Sequence, residues 1–397
     1  MFYGWIIVAA CLVIGASGYG TYFSFTLFYE HLAAEFGWSR TAISGAMSLG
    51  LIAYGLFALI MGWCADRFGP RPTVVVGGIL FGVGTALGGA VSEIWHLYAL
   101  YGGVMAAGMG AVWSPLVSVV SRWFEARRGL AIGVATLGGG SGVFFMAPLA
   151  ELLIAQLGWR EAYLWLGVFS GGFIVVSALF LVRDPREIGV LPYGSGAVAR
   201  VRTASPGATL TGIGHFARDG LFWWMSLVLG LWWFAGAIIY VHIAPFMLQK
   251  GFDAGAAALV VTLFGAGNCF GRIGMGAVCD KIGALHTYRL GVGLSALLMS
   301  AFAFADGAAS LNALSFVLGA FVGGSSTQIS TVSVALFGTK SAGALMGAVL
   351  ALVGIVGAGG PLVSGMIYDA TQSYAPAFHV GAAVFLLSLA LSFSLRR

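Results

Sequence analysis

Apolar runs of about 20 residues recur along the whole chain, and polar residues gather in the short intervals between them. At 1.5 Å per residue such a run crosses the hydrocarbon core of a bilayer, so each predicts a transmembrane helix. Reading runs between turn and charge signals predicts spans at 3–28, 41–64, 72–91, 95–120, 129–154 and 161–182, then at 220–247, 255–278, 287–305, 310–334, 342–367 and 376–395. One polar interval is long. Residues 183–218 carry Arg183, Arg186, Arg200, Arg202 and Arg218 with Pro185, Pro192 and Pro206, a stretch too polar to span. It divides the chain into a six-helix bundle over 1–182, a linker over 183–218 and a second six-helix bundle over 219–397. The expected fold is an all-α membrane protein of twelve transmembrane helices in two pseudo-symmetric bundles.

Composition agrees with a lipid-facing surface: 59% of residues are hydrophobic and only 8% charged, where a soluble domain carries roughly 25% charged. The 62 glycines suit helices that pack closely in a membrane. Only two residues precede the first apolar run, and no small-residue cleavage site follows a basic segment, so the first span is expected to be kept. The net charge of +5 is spread over many short loops, which argues for membrane orientation and against a nucleic-acid surface. With the linker cytoplasmic, the opposite face holds only Arg40, Arg160 and Lys250, and Arg272 lies within a span. That bias predicts both termini in the cytoplasm. Cys11, Cys64, Cys269 and Cys279 form no CxxC pair or metal cluster, and no phosphate-binding loop or catalytic triad is present, so neither a cofactor nor an enzyme activity is expected.

The two halves repeat at a constant offset of 214 residues. Gly37-Trp38 corresponds to Gly251-Phe252. Gly62, Asp66, Arg67 and Gly69 correspond to Gly276, Asp280, Lys281 and Gly283. Gly129 and Gly133 correspond to Gly343 and Gly347, and Gly167 to Gly381. Parallel repeats of this kind usually hold substrate at their interface, near the bilayer midplane.

Arg272 is the one charged side chain expected deep in a span, since none of the acidic residues is assigned to a span interior. An unpaired cation there costs ~2.5–3.5 kcal/mol on insertion scales, which a negatively charged substrate in a watered path would offset. The guanidinium fork can hold a carboxylate through two parallel hydrogen bonds. The alternative is an arginine that snorkels to the interface or bonds free carbonyls.

The loop Gly62-Trp63-Cys64-Ala65-Asp66-Arg67-Phe68-Gly69-Pro70-Arg71 resembles the GxxxDRxGxR loop of the major facilitator superfamily, whose role there is conformational gating. The opening Tyr3-Gly4-Trp5 and the run Tyr19-Gly20-Thr21-Tyr22-Phe23-Ser24-Phe25 resemble the first helix of the monocarboxylate transporters and the related oxalate/formate exchangers. Arg122-Trp123-Phe124-Glu125-Ala126-Arg127-Arg128-Gly129-Leu130-Ala131-Ile132-Gly133 is similar to their fifth-helix signature, and Gly271-Arg272 to the place of their substrate arginine. The resemblance implies the major facilitator fold and a gating role for Gly62, Asp66, Arg67, Gly69, Arg71, Arg127 and Arg128. It also implies that His242, 30 residues before the arginine as in bacterial relatives, lines the substrate cavity and responds to proton load. The bland reading is a neutral histidine bonded to a neighbouring helix.

Two departures stand out. Animal members carry a lysine in the first helix where this chain has Phe23, and an aspartate one turn before the arginine where it has Asn268. Both groups serve proton coupling in that family. The exchanger branch carries a lysine in the eleventh span; Gly354–Gly365 has none, which disfavours a small dicarboxylate. Asn268 is still one turn from Arg272 and can orient it. Tyr19, Tyr22, Trp113 and Gln328 are candidates to complete the cavity, against the plain alternative that they pack helices.

These features predict a secondary transporter of small organic anions, foremost a lactate- or pyruvate-like monocarboxylate, by alternating access. Proton symport comes first by resemblance, with exchange or facilitated diffusion as alternatives. An exporter of amphipathic compounds and a transporter-like anion sensor are the other readings. The expected setting is a bacterial-type inner membrane, with the lipid bilayer, the anion and protons as partners and a monomer as the working state.

Overall fold

Without water in the hydrocarbon core every backbone N–H and C=O must bond within the chain, so a span has to be a helix. A computed structural model describes residues 2–194, 218–337 and 342–395, apart from the side chains of residues 113, 114, 117, 128, 129 and 342–344. It is all-α. The first half comprises α1 (Tyr3–Phe23), α2 (Phe25–Phe36), α3 (Arg40–Phe68), α4 (Pro70–Leu87), α5 (Ile94–Ala99), α6 (Ala106–Trp123), α7 (Arg128–Thr136), α8 (Gly138–Leu157) and α9 (Trp159–Ala178). The second comprises α10 (Gly220–Gln249), α11 (Ala254–Ile282), α12 (Ala284–Phe304), α13 (Ala308–Phe337), α14 (Ala342–Gly357), α15 (Gly359–Thr371) and α16 (Ala375–Ser392).

Among the described residues eleven helical segments are long and apolar enough to cross a membrane. The remaining predicted span is α5 and α6, joined through a π-helical turn at Leu100–Met105 that interrupts the α-helix. The other interruptions fall at Ser24 between α1 and α2, Leu137 between α7 and α8, and Ala358 between α14 and α15. Predicted and observed bounds differ mostly because the helices outrun the apolar stretch. A 29-residue helix such as α3 is about 43 Å long, more than the ~30 Å core requires. The largest difference is α2, which carries the first span on to Phe36. That extension brings a carboxylate into a span, and Glu151 falls within the predicted span 129–154 itself, so the expectation that no carboxylate lies inside a span does not hold. Glu30 lies in α2 and Glu151 in α8. Glu30 is tolerated because Arg40 pairs with it.

The repeat is visible in the backbone. Gly37 and Gly251 both take positive φ (65° and 86°), and so do Gly69 and Gly283 (97° and 82°), a region L residues avoid. Ser39 and Asp253, also 214 apart, cap α3 and α11 through the N–H groups of Ala42 and Ala256.

The two motifs of the first half meet at the face that carries the linker, called here the linker face. Trp5 packs on Phe124 at 5.0 Å between ring centroids, and Tyr3 on Trp123 at 5.6 Å. Residues 183–194 fold back onto the same cluster: the Tyr193 N–H donates to Trp123 O at 2.9 Å, and its carbonyl accepts from Glu125 N. Residues 195–217, with Arg200, Arg202 and Pro206, lie outside the described residues.

Candidate functional site

The site is built on the packing of α11 against α13. A Cβ on Gly267 or Gly271 would overlap the carbonyls of Phe316 or Ala320, and one on Gly319 the carbonyl of Phe264. Gly267 and Gly271, four apart on α11, and Gly319 on α13 let the two backbones touch. The next residues on α11, Asn268 and Arg272, are therefore held in place. Arg272 lies four residues beyond Asn268, the midpoint of the helix, or about 6 Å toward the linker face.

Arg272 Nε donates to Asn268 Oδ1 at 2.9 Å, and Asn268 Nδ2 donates to the hydroxyl of Tyr240 on α10 at 2.7 Å. Asn268 is buried, whereas Arg272 keeps partial exposure. Among the described residues that bond is the only hydrogen bond of the guanidinium, and no carboxylate pairs with it. Its two Nη groups face α8, where a Cβ on Gly139 would lie 3.2 Å from Nη2; Asn268 Oδ1 lies as closely against Gly140. The charge thus sits where the halves meet, in front of a glycine stretch with no side chain to bond it.

The relay ends on aromatic rings. Tyr240 packs on Phe23 at 4.4 Å and on Phe264 at 4.9 Å. Phe23 stacks on Tyr19 at 6.2 Å, and the Tyr19 hydroxyl meets that of Tyr54 at 2.7 Å. The position that holds a lysine in animal relatives is here an apolar plate. Tyr22 lies apart from Arg272, with its ring on Tyr101 at 4.9 Å and its buried hydroxyl without a partner. Gln328 is buried but bonds its own helix, to Thr327 and Thr331. The side chain of Trp113 lies outside the described residues. Beside Gly139 a small cleft opens, lined by Gly15, Val112, Leu116, Ala135 and Thr136 among others.

His242 belongs to a different group. It is buried on α10 toward the face opposite the linker, its Nε2 3.3 Å from Pro361 O and 3.4 Å from Ser44 Oγ. Its ring lies 5.3 Å from that of Tyr29 and 5.1 Å from that of Tyr374. On the same face Asp369 of α15 accepts from Arg40 N at 3.0 Å, Thr41 N at 2.9 Å and Thr41 Oγ1 at 2.6 Å, closing the start of α3 across the two halves. Arg40 adds its pair with Glu30 and lies over the rings of Tyr29 and Tyr368. Together they seal the far face. Charge spacing alone gave no sign of this seal, because its members come from four spans.

The residues to which the resemblance assigns a gating role gather at the linker face within the first half. Arg122 Nη2 donates to Asp66 at 3.2 Å, and Arg183 Nη2 to the Asp66 carbonyl at 2.7 Å. Arg71 Nε donates to Leu181 O, and Arg67 lies over Trp63. Gly62 sits on α3 and Gly69 forms the turn into α4. Arg127, exposed, starts α7 at φ 56°; the Arg128 side chain lies outside the described residues.

Comparison with known proteins matches residues 10–314 and 251–397 to the Major Facilitator Superfamily model. Monocarboxylate transporter 13 of Bos taurus is 27% identical over 97% of this chain and 87% of its own length. Monocarboxylate transporter 11 of Homo sapiens is 29% identical over 97% and 81%. Among solved structures, a bacterial homologue of the human lysosomal transporter Spinster aligns with TM-score 0.72 at 17% identity, over 99% of this chain and 97% of that one. The E. coli fucose:proton symporter aligns with TM-score 0.67 at 16% identity, over the whole of both chains.

Proposed function

The chain belongs to the Major Facilitator Superfamily as a multi-pass membrane transporter with that family's all-α fold, and from this premise we propose that it carries small monocarboxylates by alternating access. The observation that carries the reading is the unpaired fork of Arg272 at the junction of the halves. A carboxylate there would take two charge-assisted hydrogen bonds and offset the cost of a cation at membrane depth. Asn268 holds Nε and so leaves the Nη edge turned outward. The relatives named monocarboxylate transporters support the same substrate class.

The sealed far face and the partly exposed Arg272 suit a state open toward the linker face, which the charge bias makes cytoplasmic in an inner membrane. Proton symport is the coupling we favour. Phe23 and Asn268 stand where relatives hold ionisable groups, which leaves His242, in the seal, as the candidate carrier. It would act on the gate and not on the carboxylate. Uptake of labelled lactate, pyruvate and longer acids into proteoliposomes, with and without an inward proton gradient, tests this. Saturable uptake that the gradient accelerates supports symport, gradient-independent uptake supports exchange or facilitation, and no uptake of any acid removes the proposal.

A further inference from the structure

Two junctions join the halves, α3 with α14 on one side and α11 with the α7–α8 span on the other, and the 214-residue offset turns each contact of one into a contact of the other. Toward the far face both junctions are tight. A Cβ on Gly354 would lie 3.0 Å from Leu51 O, and one on its mate Gly140 would lie 3.0 Å from Cys269 N. One turn on, both still touch. The Cβ position of Gly55 is 3.2 Å from Ala351 Cα, and their mates keep Cys269 Sγ 3.9 Å from Leu137 O. At the next turn they part. Gly347 meets Leu59 at 3.3 Å, but its mate Gly133 has nothing within 4 Å of its Cβ position, and Ile273, the mate of Leu59, is 62% exposed. The α7–α8 span can bend at that level, since Leu137 interrupts the helix and three glycines follow it. Beyond the break α8 is clamped: a Cβ on Gly138 would lie 2.5 Å from Leu12 O of α1, and Gly140 backs onto α11. Gly133, seven residues before Gly140 and on the same face, has no such hold.

Resting on the alternating-access reading but on no particular substrate, we infer that the linker face opens on one side only, between α7 and α11, and that α7 closes it by turning at Leu137 to seat Ile273 on Gly133. Closure reproduces the Leu59–Gly347 contact already made at the other junction, which stays together as the hinge. Ile273 follows Arg272 directly, so the closed contact covers the guanidinium from the linker face. Glycine is required at position 133 because any side chain there would occupy the place that Ile273 takes. A contact that is either made or open gives the hinge two discrete states.

The test is labelling of Ser44→Cys from the far side by a membrane-impermeant thiol reagent, in a background freed of native cysteines. Ser44 is buried in the seal and is reached when the far face opens, which requires the linker face to close. Gly133→Leu fits the open space seen here but overfills the closed contact, so labelling should fall about 10-fold. Gly274→Leu, with equally open space but about 100° further round α11 than Ile273, should leave it unchanged. A second measurement combines Gly133→Cys with Ile273→Cys, oxidises the membranes and cuts the chain at a protease site placed in the linker. A disulfide should hold the halves together, as it should for Leu59→Cys with Gly347→Cys. Labelling of Gly133→Leu equal to the parent's, or a fall shared by Gly274→Leu, overturns the gate and leaves alternating access standing. So does a Gly133–Ile273 pair that never bridges while the Leu59–Gly347 pair does, and this decides alone if the leucine variant fails to reach the membrane. A parent protein never labelled from the far side overturns both.

Discussion

Asn268 Oδ1 accepts from Arg272 Nε at 2.9 Å, one helical turn away on the same face of α11. The amide oxygen fixes the guanidinium plane without neutralising it, and the amide nitrogen passes the constraint on to Tyr240. A carboxylate at this position would do the opposite, holding the charge and competing with substrate.

Asn268→Asp should therefore raise KM for the transported acid at least 10-fold at pH 7.5. Lowering the pH should reverse part of the loss, because protonating the new carboxyl frees the fork. Initial-rate uptake across a pH series checks this. An unchanged KM would mean that Asn268 does not orient the substrate's partner.

Removing the carboxylate that ties the start of α3 to α15 should loosen the far face. Asp369→Ala deletes three hydrogen bonds across the halves; a net loss of even ~1 kcal/mol, typical of one such bond, is roughly a 5-fold shift in population. Ser44, buried in the seal, reports the change. With Ser44→Cys in a background freed of native cysteines, labelling by a membrane-impermeant thiol reagent from the far side should rise about 5-fold in the Asp369→Ala variant. Equal labelling would show that the seal does not depend on Asp369.

If His242 carries the coupling proton from within the seal, His242→Gln should reduce the ratio of gradient-driven uptake to tracer exchange by 10-fold or more. Both rates are taken on one preparation. A ratio like the wild type's would move the coupling group elsewhere, with Glu30 next to be replaced.

The contact of α11 with α13 is a packing prediction. Gly271→Ala should lower the melting temperature in detergent, because the added methyl meets the Ala320 carbonyl, and overpacking costs ~1–3 kcal/mol. Gly274→Ala, on the same helix with open space around its Cβ position, should not.

Much of this architecture could be read before any helix was placed. The offset of 214 residues became paired positive-φ turns at Gly37 and Gly251 and at Gly69 and Gly283. The i, i+4 spacing of Asn268 and Arg272 became a hydrogen bond. Local spacing could not announce contacts between spans. Tyr240 reaches Asn268 from another helix, and Gly139 meets Arg272 from the other half of the chain, so neither sequence neighbourhood hints at the other. Glycine there signals close approach without saying to what. The grouping of His242 with Tyr29, Ser44 and Pro361, and the part played by Asp369, escaped for the same reason, and the π-helical turn at Leu100–Met105 has no apolar signature to mark it.

The most direct measurement is monocarboxylate uptake by the Arg272→Lys variant beside the wild type. Lysine keeps the charge and loses the planar fork, and charge-assisted hydrogen bonds of this kind are worth ~1.5–3 kcal/mol each. The account predicts that kcat/KM falls about 100-fold while the protein still inserts and melts as the wild type does. Equal uptake by the lysine variant would contradict it, showing that Arg272 serves the helix and not the substrate.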